Sequence, residues 1–172
     1  MTLSQNSDKV QFSGNKWYFG TNLMFYGETA INLDAKGRLA IPVKYREALA
    51  VAWKNTFVLT YNAYENNSLW LYSQEQWEKV RDEVMKLSTW DPAHRALQRR
   101  LVGSAYHIEP DKGSRLLLPK TLREVTGLEK KVVMVGLGDK FEIWDEQALI
   151  ADRHQIPEIG ENVSDAVKQL VL

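Results

Sequence analysis

The sequence predicts a mainly β protein with short helices, an α+β chain built from two tandem copies of one small unit. Three observations carry that expectation. The block Asp34-Ala35-Lys36-Gly37-Arg38-Leu39-Ala40-Ile41-Pro42 recurs as Asp111-Lys112-Gly113-Ser114-Arg115-Leu116-Leu117-Leu118-Pro119. Arg46-Glu47 and Arg123-Glu124 follow the two copies, so each acid, arginine and proline anchor recurs 77 positions later (34 to 111, 38 to 115, 42 to 119). A repeat that keeps register over that many chemically distinct anchors marks a duplicated structural unit. Around each block, apolar residues alternate with period two and then switch to helical spacing, the pattern of strand, turn, strand and short helix.

In the first copy, Ile31 and Leu33 flank polar Asn32, Asp34 to Gly37 makes a turn, and Leu39 and Ile41 resume the alternation. Pro42 fits the first turn of a helix, on which Tyr45, Ala48 and Leu49 share a face. Strands are expected at 56–60 and 68–72, joined by a polar loop containing Asn62, Asn66 and Asn67. The second copy repeats the order. Ile108 leads into the turn at 111–114, Leu116 to Leu118 follow, and a short helix carries Leu122 and Val125 to a glycine cap at Gly127. A second hairpin, 132–135 with 141–144, is expected to turn through Gly136 and Gly138.

The segment between the copies reads as helical. Ser73 with Gln76 resembles a capping box, and Trp77, Val80, Val84 and Leu87 form an apolar stripe. Asp91-Pro92 signals a new helix with Ala93, Leu97 and Leu101 on one face. Ala148 and Leu149 indicate a last short helix. These patterns divide the chain into an N-terminal appendage, 1–23, expected to be disordered; a first unit, 24–73; a helical linker, 74–102; a second unit, 103–152; and a tail, 153–172. Neither unit alone offers enough apolar surface for a stable core. The two are therefore expected to pack as a pseudo-dimer around one barrel-like core.

Composition narrows the function classes. The chain has 172 residues, 44% hydrophobic and 26% charged, which is the profile of a folded soluble protein. It contains no cysteine, so disulfide frameworks and thiolate metal sites are excluded. No apolar run approaches the roughly 20 residues of a membrane helix, and a cytoplasmic location is expected. Twenty-two basic residues balance 22 acidic ones, so any anionic partner must be met by local placement of charge. Even residues 27–49 hold only four basic side chains (Lys36, Arg38, Lys44, Arg46) against three acidic ones (Glu28, Asp34, Glu47).

The repeated turns hold the chemistry. Arg38 and Arg115 follow tight turns and precede apolar strands, which puts them at exposed loop edges beside Lys36 and Lys112. Asp34 and Asp111 are placed to accept turn N–H bonds, the arginines then forming structural ion pairs or offering guanidinium groups to a ligand. His94, His107 and His154 lack metal-ligand spacing, and no metal, cofactor or catalytic group is expected. Gly136-Leu137-Gly138 lacks the rest of a nucleotide fingerprint. Arg95, Arg99 and Arg100 form a basic cluster on the linker, read as a contact to a neighbouring subunit. Trp53, Trp70, Trp77, Trp90 and Trp144 sit in strand and helix patterns that assign them to packing rather than base stacking.

Several separated blocks, in order, resemble the MraZ transcriptional regulators. They are Met24-Phe25, Gly27, Ile31-Asn32-Leu33-Asp34, Lys36 to Pro42, Tyr45-Arg46, Gln98 to Leu101, the second repeat at Asp111, Gly113 and Arg115 to Leu118, and Lys140 to Asp145. The resemblance covers roughly residues 24–150. It implies two AbrB-like swapped-hairpin modules forming a pseudo-symmetric double-split β-barrel. It also implies a ring-like, octamer-like homo-oligomer that binds double-stranded DNA at direct repeats in its own cell-division and cell-wall operon promoter, associated with the nucleoid. Carried over residue by residue, Arg38 and Arg115 contact DNA, Lys36, Lys112 and Lys44 support them, and Asp34, Asp111, Gly37 and Gly113 shape the turns. The alternative reading is an AbrB-like protein-interaction module of the antitoxin type, without enzymatic activity.

Overall fold

The computed structural model describes residues 11–13, 16–19 and 22–155. The strands are β1 (Gln11–Ser13), β2 (Lys16–Phe19), β3 (Asn22–Asn32), β4 (Arg38–Ala40), β5 (Phe57–Tyr61), β6 (Ser68–Ser73), β7 (Tyr106–Ile108), β8 (Arg115–Leu117), β9 (Lys131–Gly138) and β10 (Lys140–Asp145). The helices are α1 (Val43–Ala52), α2 (Gln74–Met85), α3 (Pro92–Leu101), α4 (Lys120–Thr126) and α5 (Glu146–His154). The chain is mostly antiparallel β with five short helices among the described residues.

The strand order explains how two weak units share one core. The large sheet runs β1-β2-β3-β9-β10-β6-β5-β7, and β4 pairs with β8 in a separate two-stranded ribbon. The leading strand of each copy crosses to the second hairpin of the other: β3 pairs with β9, and β7 pairs with β5. The two second hairpins meet at β10 and β6, with Phe141 opposite Leu71 and Ile143 opposite Leu69. Read as repeat equivalents, the six strands from β3 to β7 follow the same order from either end. The large sheet stays open, since no strand pairing closes it into a barrel among the described residues.

The core lies beneath both ribbon strands. Leu39 and Leu116 face each other across the ribbon and are fully buried, as are Tyr45, Leu49, Leu69, Leu71 and Phe141. Phe25 packs edge-on against Tyr45 and Trp53, with ring centroids 5.6 and 5.3 Å away, and sits 4.5 Å from Phe141. That cluster joins β3, α1 and β10, so both copies supply it. Each ring of this size removes 150–250 Å² from water, and truncating one to alanine costs about 3–5 kcal/mol. A second cluster, Val58, Trp70, Tyr72, Trp77, Val84 and Leu101, holds α2 and α3 against the opposite face of β5 and β6.

Several local expectations hold. Ser73 Oγ accepts the Gln76 N–H at 3.1 Å, Asp91 Oδ1 accepts the Ala93 N–H at 2.7 Å, and Gly127 closes α4 at φ +67°. Others need correction. Residues 11–13 and 16–19, expected within a disordered appendage, pair as β1 and β2 and extend the sheet from β3, with Phe12 opposite Trp17. Gly136 is not in the hairpin turn; β9 runs through it to Gly138. A Cβ at Gly136 would come within 2.8 Å of the Phe25 and Tyr26 backbone, so the glycine is there to let β3 approach. Val125 is exposed, and α4 buries Leu122 and Thr126 instead. Trp90, expected to pack, lies in the turn before α3 and is 91% exposed. The tail beyond residue 155 lies outside the described residues.

Candidate nucleic-acid interface

Each repeat builds the same turn. Asp34 Oδ1 accepts the N–H of Lys36 at 2.9 Å and of Arg38 at 3.0 Å, while its carbonyl accepts the Gly37 N–H at 2.9 Å. Asp111 does the same with Gly113 at 2.8 Å, Arg115 at 3.1 Å and Ser114 at 2.9 Å. From the head of the turn a short carboxylate can accept the N–H groups two and four residues ahead, which is why an acid opens both blocks. Both copies place the penultimate residue in the left-handed region, Gly37 at φ +76° and Ser114 at φ +57°.

The turns are then locked together. Ile41 donates its N–H to the Ser114 carbonyl at 2.9 Å, and Leu118 donates to the Gly37 carbonyl at 3.1 Å, a reciprocal exchange at the ends of the β4–β8 ribbon. The register pairs Arg38 with Leu117, Leu39 with Leu116 and Ala40 with Arg115. Side chains alternate across a strand. Leu39 and Leu116 therefore point into the core, and Arg38, Ala40, Arg115 and Leu117 share the outward face. Both motif arginines, which sequence spacing could place only on separate loops, stand on one surface.

Their electrostatics are self-balanced. Arg38 donates through Nε to Asp34 Oδ2 at 2.7 Å and through Nη1 to Asp111 Oδ2 at 3.3 Å. Arg115 donates through Nε to Asp111 Oδ2 at 2.9 Å, with Nη2 2.8 Å from the same oxygen. Asp111 thus serves both guanidinium groups, an asymmetry the repeat does not announce. The Arg115 hydrogen bond holds the Asp111 carboxyl down at about 2, and the Arg38 N–H chiefly lowers that of Asp34. Two arginines against two aspartates leave no net charge in the cluster, so the surplus comes from the exposed Lys36 and Lys112 beside it. A guanidinium has five donors. With Nε and one Nη of each engaged by carboxylates, Arg38 Nη2 and Arg115 Nη1 have no hydrogen-bond partner among the described residues, and both side chains stay partly exposed.

The other expected residues distribute as follows. Gly37 is packed against Arg123, whose guanidinium carbon would lie 2.5 Å from a Cβ placed there. Gly113 lies in the second turn with its N–H on Asp111. Lys44 is on α1 with its ammonium 4.8 Å from the Tyr45 ring centroid, away from the turn hydrogen bonds. Of the linker cluster, Arg95 donates to the Thr89 and Trp90 carbonyls. Arg100 donates to the Asn62 carbonyl at 2.6 Å, to Asn66 Oδ1 at 2.7 Å and to the Glu65 carbonyl. Those two side chains are spent inside the chain, and of the three only the Arg99 side chain makes no hydrogen bond or ion pair among the described residues. Arg46 and Arg123, which the sequence marked only as repeat anchors, donate Nε to the Ile41 and Leu118 carbonyls and hold each helix to its ribbon strand.

A family model described as "MraZ protein, putative antitoxin-like" matches the chain twice, over residues 24–100 and 101–151. The protein named transcriptional regulator MraZ from Stenotrophomonas maltophilia (strain R551-3) is 47% identical over 145 residues, covering 83% of this chain and 98% of that relative. The one from Xylella fastidiosa (strain Temecula1 / ATCC 700964) is 45% identical with the same coverage. A third, from Shewanella sp. (strain MR-7), is 43% identical over 140 residues, 81% of this chain and 90% of its own length.

Proposed function

Because this chain belongs to the MraZ family, we propose that it is a sequence-specific DNA-binding transcriptional regulator that represses its own cell-division and cell-wall operon through repeated promoter sites. The observation that carries the reading is the β4–β8 ribbon, with Arg38 and Arg115 on one outward face. A two-stranded ribbon fits the major groove, where an arginine forks onto guanine O6 and N7. Lys36 and Lys112 supply phosphate contacts, and Lys44 assists from α1. Asp34, Asp111, Gly37 and Gly113 hold the turns that aim the arginines. The crossed pairings of β3 with β9 and of β7 with β5 support two AbrB-like swapped-hairpin modules, 24–73 and 103–152, joined by the linker 74–102 and sharing an open sheet rather than a closed barrel.

One ribbon buries too little surface for tight binding. A ring-like homo-oligomer, octamer-like, meeting direct repeats would multiply weak contacts through effective concentration, and it would work on nucleoid DNA in the cytoplasm. The test is an electrophoretic mobility shift on the protein's own upstream DNA, comparing wild type with Arg38→Ala/Arg115→Ala at two salt concentrations. The expected result is a shift that depends on the repeats and the arginines and weakens with salt, with a log–log slope near −0.9 per phosphate neutralised. A folded, oligomeric wild type that gives no shift would reduce the arginines to structural ion pairs and bring the antitoxin-type reading forward.

A further inference from the structure

Leu117 is out of place for a structural leucine. It is 54% exposed, yet its ribbon neighbour Leu116 and the residue following it, Leu118, are both fully buried. Its position puts it on the outward face directly across from Arg38. Directly opposed residues in an antiparallel pair have Cβ atoms roughly 5 Å apart, comparable with the 3.4 Å step between base pairs. The face therefore offers a guanidinium and an apolar branched side chain close enough to address adjacent bases.

In the major groove only one base presents an apolar group, the C5-methyl of thymine. We propose that Leu117 is a specificity-determining residue that packs on a thymine methyl beside the base contacted by Arg38; the proposal rests on the DNA-binding reading above. The two halves of the ribbon then read unlike sequences. The repeat equivalent of Leu117 is Ala40, across from Arg115, and its single methyl lacks the reach to make the same contact. The ribbon has one arginine–leucine pair and one arginine–alanine pair, so the duplicated motif is not a duplicated reader. Packing the leucine against a methyl also adds apolar burial to the polar contacts of Arg38 and Arg115.

The experiment compares wild type, Leu117→Ala and Leu117→Met on the upstream DNA, with thymine or with deoxyuridine, which lacks only the methyl, at the bound sites. Wild type should weaken about fourfold for each contacted methyl removed, the equivalent of one buried methyl-sized group. Leu117→Ala should weaken by a similar factor on thymine DNA and become indifferent to deoxyuridine, while Leu117→Met, which keeps the apolar reach, should retain the discrimination. Equal deoxyuridine effects in wild type and Leu117→Ala, or none in wild type, would overturn the proposal and leave DNA binding standing. Light scattering on the same samples reads the other occupant: a changed oligomeric state in Leu117→Ala would mean that a second copy covers this leucine. Absence of any shift by wild type would remove the parent reading and this one together.

Discussion

Single residues carry opposite weight at equivalent positions of the two repeats. Gly37 and Ser114 both adopt left-handed backbone, but only the Gly37 site has a guanidinium, that of Arg123, within 2.5 Å of where a Cβ would stand. Gly37→Ala is expected to lose about 1–2 kcal/mol to backbone strain alone, with more from displacing Arg123. At roughly 2–4 °C per kcal/mol for a chain of this size, thermal unfolding should show a clear drop. Ser114→Gly should raise the midpoint, because it removes a non-glycine residue from the same region. An unchanged midpoint for Gly37→Ala would mean that the turn relaxes elsewhere. The aspartates, in contrast, were legible from the repeat: an acid at the head of a four-residue turn has an obvious use. That Asp111 would also take Arg38 was not, since it depends on how the two turns face each other.

At the scale of elements, the linker helices were foreseen and their purpose was not. Spacing located α2 and α3 through their caps and apolar stripes; of the stripe residues Trp77, Val84 and Leu101 are buried, Val80, Leu87 and Leu97 are half-buried, and Ala93 is exposed. The basic cluster on α3 looked like an outward contact. Its last member instead clamps the β5–β6 loop, with Nε on the Asn62 carbonyl at 2.6 Å and the guanidinium 5.3 Å from the Tyr61 ring centroid. Beside it, Gln98 donates to the Val84 and Leu87 carbonyls and so satisfies the end of α2. Arg100→Ala should destabilise the fold by about 1–2 kcal/mol, as expected for partly exposed charge-assisted bonds, and raise amide exchange across 62–67. Exchange that stays protected would return Arg100 to the surface role its sequence position implied.

For the whole molecule, the crossed pairings make the two halves interdependent. β3 finds its partner in β9 and β7 finds its partner in β5, so each half lacks the strands that its own leading strand needs. A fragment ending at 102 or beginning at 103 should therefore not fold as a monomer. Circular dichroism and light scattering should show each fragment unstructured or paired with a copy of itself, and equimolar mixing should give a one-to-one complex with native secondary structure. A fragment that is folded and monomeric would contradict the crossed topology. Among the described residues no helix is long and apolar enough to span a membrane.

The amino-acid sequence by itself determined the repeat, the turn chemistry, the helix caps and the family, because each rests on local spacing or on blocks read in order. The tertiary structure alone decided which copy pairs with which, where the ribbon face points and which arginines stay available. Those depend on contacts between residues far apart in the chain, such as Leu59 with Tyr106, Arg38 with Asp111 and Phe25 with Gly138. Nothing in a one-dimensional pattern distinguishes a strand that pairs within its own copy from one that crosses, since both bury the same alternate side chains. The exposed Leu117 belongs to this second class: its neighbours predict a buried apolar run, and only the ribbon's register turns it outward.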